Sequence, residues 1–249
     1  MPPVGAAVLP HPPLLVPELA GAAAAELDPL RAACHQALSA VIADAGTLVV
    51  VGDGPAWGVP EPAAPGSFRP YGAGVEVTLP PLADLDLPGL PTPARLPDLP
   101  LSLAVAAHLL AGHDPLPERL VAATVPASLG PGAAAAIGQV LVSTGAPGER
   151  VGLVVMGDLS ACRSEQAPGA LRPGAAALDA AVAEALRAGK PERLLDLDPA
   201  QAADLLVAGR VPLQVLAGAF QDRPVVHGEV LYEDAPYGVG YLVAVLTSP

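Results

Sequence analysis

The chain reads as an α/β protein of three layers, α/β/α. A mostly parallel central sheet carries an antiparallel edge at its C-terminal end. Three observations predict this. Short β runs alternate with helical stretches along most of the 249 residues, the pattern of strand–helix–strand units. The run Thr47-Leu48-Val49-Val50-Val51 is apolar throughout, as expected of a strand covered on both faces. The last two β runs are joined by a short link through Tyr237-Gly238-Val239-Gly240-Tyr241, so a hairpin of the two is antiparallel.

Taken in order, residues 4–9 form a strand that stops at Pro10-His11-Pro12-Pro13. Residues 18–43 form one long helix, or two broken near Pro29. Leu27, Leu30, Cys34, Leu38, Val41 and Ile42 recur there at helical spacing and make one apolar stripe. After the strand at 47–51 the composition changes. Proline punctuates residues 54–100, and only 75–79 looks like a strand. This stretch holds too few large apolar residues for a core of its own. It reads as an irregular excursion within a single domain spanning 1–249. Alternation then resumes with a helix at 101–111, a strand at 119–125, a helix at 133–143 and a strand at 151–156. Helices follow at 174–188, 191–195, 199–207 and 212–220, and β runs at 225–232 and 238–246 close the chain.

Composition narrows the function. Apolar residues make up 52 % and aromatics 3 %, so Ala, Val and Leu must fill the core and the helices must pack closely. The net charge is −13 and no basic cluster occurs, which excludes nucleic acid and anionic membrane surfaces as partners. No apolar stretch reaches the roughly 18 residues of a spanning helix, and the N-terminus lacks a basic leader region. Two cysteines, Cys34 and Cys162, make no disulfide framework, and a cytoplasmic protein is expected. The Ala-rich faces would suit a homodimer.

In an open α/β sheet, ligands gather at the carboxyl ends of the strands. Three β runs end there in polar residues: at His11, at Gly52-Asp53-Gly54 and at Gly157-Asp158-Leu159-Ser160. If these strands are parallel, His11, Asp53 and Asp158 converge, with Trp57, Ser160 and Cys162 as further pocket residues. Each has a plainer reading. His11 can be a hydrogen-bonded residue of a proline-rich turn. Asp53 can bond its own backbone in a Gly-Asp-Gly turn, Asp158 and Ser160 can cap a turn, and Cys162 beside Arg163 can be a buried, inert thiol. His35 and His108 read as core-edge or surface residues, and His113 as a helix C-cap. His227 and Glu229, two apart on a strand, are either a ligand pair or a solvated face. Nucleotide-binding glycine loops, Gly-x-Ser-x-Gly, Cys-x-x-Cys and His-x-x-x-His are all absent from the sequence.

Four segments together resemble the class III extradiol ring-cleavage dioxygenase superfamily, of the LigB type with the Memo proteins as relatives. They are Ala7-Val8-Leu9-Pro10-His11-Pro12-Pro13-Leu14, the strand end Val49-Val50-Val51-Gly52, Gly157-Asp158-Leu159-Ser160 and Tyr237-Gly238-Val239-Gly240-Tyr241. The resemblance implies a non-haem Fe(II) held by a few His and carboxylate ligands, with a further His as acid/base. His11 matches the first ligand of that pattern. The second ligand is missing, since Gly52-Asp53-Gly54-Pro55-Ala56-Trp57 carries no His, and Ala161 stands where the acid/base His belongs. The Cys-Gly-Arg-like turn of the Memo branch has its counterpart in Val207-Ala208-Gly209-Arg210, without the thiol. Two expectations follow. One is a non-catalytic or diverged protein that binds a small molecule or a partner. The other is a metal-dependent enzyme, dioxygenase or hydrolase, with a divalent Fe, Zn or Mn held by His11, Asp53 and Asp158.

Overall fold

The computed structural model describes residues 4–84, 87–145, 148–221, 223–225 and 227–249. From β1 (Val4–Leu9) the chain passes through a 3-10 turn into α1 (Pro17–Ala20), a second 3-10 stretch and α2 (Asp28–Ile42), then β2 (Ala45–Asp53). Short strands β3 (Gly58–Pro60), β4 (Pro65–Ser67), β5 (Glu76–Thr78) and β6 (Ala94–Leu96) follow. Regular alternation resumes with α3 (Leu101–Leu110), β7 (Arg119–Val125), α4 (Pro131–Val142) and β8 (Arg150–Met156). Helices α5 (Ala175–Arg187), α6 (Pro199–Asp204) and α7 (Arg210–Ala219) precede the closing hairpin of β9 (His227–Asp234) and β10 (Tyr241–Thr247).

The eight-stranded sheet has the order β6-β3-β7-β2-β8-β1-β10-β9. Strands β7, β2, β8 and β1 are mutually parallel, while β10 and β9 form the antiparallel edge. Alternation along each strand feeds two cores. Ala7, Leu9, Leu48, Val50, Leu120, Ala122, Val154 and Met156 face the layer holding α2 and α3. Val4, Ala6, Val8, Val49, Val51, Val121, Ala123, Leu153 and Val155 face the layer holding α4, α5 and α7. A central strand buried on both sides has no polar face, which is why its sequence reads as an unbroken apolar run. Small residues let the helices close up: a Cβ added to Gly218 of α7 would overlap the Ala135 carbonyl of α4.

Several local expectations are corrected. Residues 18–43 are not one long helix: the run divides near Pro29, which sits in the first turn of α2, where a missing N–H costs nothing, and the part before it is α1 followed by a 3-10 stretch. Residues 191–195 lie in a 3-10 helix (Pro191–Asp196) instead of an α-helix. The 54–100 stretch holds more strand than the single run at 75–79. β3 and β6 extend the main sheet past β7, and β4 pairs with β5 in a separate ribbon. Three-residue strands held by edge hydrogen bonds leave no hydrophobic period to read. From this stretch Ala64, Phe68, Ala73, Leu79 and Leu99 are buried in the α2–α3 core. Among the described residues, no helix is long and apolar enough to cross a membrane.

Candidate functional site

β8 lies between β1 and β2, in register with Leu9 against Met156 and Val51 against Val155. Parallel neighbours in register end together, so the segments leaving all three strands emerge side by side. His11 is buried just beyond β1, its backbone N–H donating to Asp158 Oδ1 at 2.7 Å. Its ring Nε2 meets Asp53 Oδ1 at 3.2 Å, where the Asp53 side chain is 37 % exposed. Its Nδ1 is buried with no hydrogen-bond partner. The three strand-end residues therefore come together, joined by an imidazole–carboxylate contact and a backbone hydrogen bond.

Asp158 reaches solvent on one side but is crowded by protein on the others. Loss of hydration is the main cause that raises its carboxyl above the usual range, with the Asp53 charge adding to it. The nearby His11 charge and the His11 N–H oppose the shift. Its backbone carbonyl accepts from Gly209 N–H at 2.8 Å, which docks the 207–210 turn onto the end of β8. Here a side chain is impossible on steric grounds: a Cβ on Gly157 would stand 2.6 Å from the Gly209 Cα. The 238–240 segment closes the opposite flank through Leu159 N–H to the Gly240 carbonyl and Gly240 N–H to the Ser160 carbonyl, at 2.9 and 2.8 Å.

The other expected pocket residues turn elsewhere. The Ser160 hydroxyl and N–H both bond the buried carboxylate of Asp179, at 2.8 and 2.9 Å, so Ser160 caps no local turn. Arg163 pairs with the same carboxylate at 2.9 Å, so its guanidinium is spent on Asp179 rather than on the neighbouring buried Cys162. The Trp57 indole N–H donates to the Pro91 carbonyl at 2.9 Å. Arg210 is buried and bonds Gln214 and the carbonyls of Ala127 and Leu129. Sequence reasoning missed Asp179, which lies in mid-helix with no motif around it. Cys34, read from the sequence as part of the α2 apolar stripe, is a buried thiol pushed up to about 12, chiefly by burial and then by the charge of Asp158. Tyr241, at the start of β10, is raised for the same two reasons.

Two further histidine pairs lie apart from the strand ends. His227 Nε2 and Glu229 Oε2 are 3.3 Å apart on an exposed strand face. His35 Nδ1 and His113 Nε2 are 3.1 Å apart on the flank formed by α2 and the turn after α3. Among the described residues, no set of three His, Cys, Asp or Glu side chains is grouped to hold a metal ion. A cavity of about 780 Å³ is lined by Lys190, Glu192, Phe220 and Val225 among others. It lies where β9 begins, at the opposite end of the sheet from His11.

Fold and site thus define a three-layer α/β protein with a polar recess at the carboxyl ends of adjacent parallel strands. No family model matches the chain, and no curated protein matches it. Among solved structures it is similar to the uncharacterized protein JW3007 from Escherichia coli K12, with a TM-score of 0.52 and 13 % identity. That similarity covers 97 % of this chain and 98 % of the other, and it carries the fold alone.

Proposed function

We propose that this is a diverged relative of the LigB-type extradiol dioxygenases that has lost ring cleavage and uses its strand-end recess to bind a small molecule. The observation that carries this reading is how the polar groups are spent. Asp53 is paired with the His11 ring, and an Asp158 oxygen is held by the His11 backbone N–H. A ferrous centre needs several His and carboxylate donors converging on one point with open positions beside them. One imidazole and one carboxylate facing each other do not fit that requirement. Ala161 offers no base for a catechol proton, and loss of a general base costs about 10²–10⁴ in rate. What remains suits a ligand bearing hydroxyl or amine donors, which the half-open Asp53 carboxylate can accept.

The test supplies Fe(II) anaerobically with protocatechuate or catechol and then admits oxygen. No ring-opened product is expected, while ligand-observed NMR detects binding that Asp53→Ala weakens. Yellow product forming at enzyme-like rates, and vanishing in His11→Ala, would overturn the reading. A second reading, a divalent site of His11, Asp53 and Asp158, is favoured by their meeting at three adjacent strand ends. Stoichiometric Zn or Mn lost specifically in His11→Ala would support it.

A further inference from the structure

Three of the five histidines gather on the flank between α2 and α3: His35 on α2, His108 on α3 and His113 just past it. We propose that His35 and His113 form a two-imidazole site for a borderline divalent metal of the zinc type, with solvent completing the coordination. The Nδ1 of one ring and the Nε2 of the other already stand 3.1 Å apart. With metal–nitrogen bonds of about 2.0–2.1 Å, that spacing subtends roughly 100° at a shared ion, between octahedral and tetrahedral values. The rings are tilted by 38° with centroids 5.2 Å apart, so small ring rotations re-aim both lone pairs without moving the backbone.

The chemistry around them fits. His11 and His227 each face a carboxylate, whereas the rings of His35 and His113 have each other as hydrogen-bond partner and face no carboxylate within hydrogen-bond reach among the described residues. Both are partly exposed, which leaves room for water or an external ligand on the ion. Gly112 brings the turn close, since a Cβ there would stand 3.0 Å from His35 Cε1. His108 is not a ligand in this arrangement, because its ring packs edge-on against Phe68 at 6.3 Å.

The experiment titrates the full-length, tag-free protein with Co(II), read by its visible absorption, and then displaces it with Zn(II). One ion per chain is expected. Its affinity should fall at least about tenfold in His35→Ala and in His113→Ala, the low end of what loss of even an outer-shell partner costs. Affinity should be unchanged in His11→Ala and His227→Ala. His113→Asn, checked for native circular dichroism, guards against a folding defect, and it should bind as weakly as His113→Ala. The site is overturned if no ion binds, if His35→Ala and His113→Ala bind as the parent does, or if binding disappears in His11→Ala. That last outcome would instead belong to the strand-end recess.

Discussion

The strand-end recess and the histidine flank are built from the same kinds of group and put them to opposite use. In the recess, backbone segments from four parts of the chain close round His11, and each carboxylate is already engaged. On the flank, imidazoles face each other without an acid. A polar group buried among rigid strand ends depends on the protein for its partners, because water reaches it poorly; the two carboxylates find them, whereas His11 Nδ1 is left without one. At a partly exposed helix flank solvent can do that work, and a pair of lone pairs can stay available.

The sharpest way to break this comparison is to test the rigidity of each place. Gly157→Ala should drive a methyl group into the Gly209 backbone and destabilise the protein by about 3 kcal/mol, several degrees in Tm. Gly112→Ala should cost less than about 1 kcal/mol, since its one tight contact is the movable His35 ring and the Leu109 carbonyl lies at an ordinary 3.5 Å. Similar losses in thermal melts would show that the flank is as rigid as the recess. Next in size, His11→Ala removes a buried ring and strands Asp53 without its partner, a loss of about 2 kcal/mol measurable by urea denaturation.

A smaller effect has the opposite sign. The folded-state pKa of Asp158 is raised, so ionising it costs more in the folded chain than in the unfolded one. That cost is absent below the ordinary value of 3.8, grows as pH rises from there to the folded pKa, and is complete above it. Asp158→Asn, whose amide oxygen can still accept from His11 N–H, should therefore raise Tm at neutral pH and leave it unchanged below about pH 3. Equal Tm values at both pH values would mean that the carboxylate is well hydrated. Least of all, His227→Ala should shift stability by no more than about 0.5 kcal/mol, because its pair with Glu229 is exposed.

How much of this was legible depends on the physical signal. Strand β7 could be placed to the residue from sequence, because a mostly apolar run of seven, too short for a helix, suits a strand covered on both faces. The strands at 58–60 and 94–96 could not, since they exist only where an edge offers hydrogen bonds. His11, Asp53 and Asp158 were legible as strand-end residues, and their meeting followed from parallel neighbours. Asp179 and the His35–His113 pair were not: 78 residues separate those two histidines, and no local pattern encodes a contact between two elements.

By itself the sequence determined the layered α/β class, the doubly covered central strands, the Ala-rich close packing and the absence of any His from 52–57 and from position 161. These rest on local periodicity and on residue identity, which need no partner to be read. Only the tertiary structure decided that β8 slots between β1 and β2, that Asp158 turns to a backbone N–H, and that Ser160 serves Asp179. The reason is that side-chain direction and strand order are set by competition among all the buried groups at once, and that competition is resolved only when the whole chain packs.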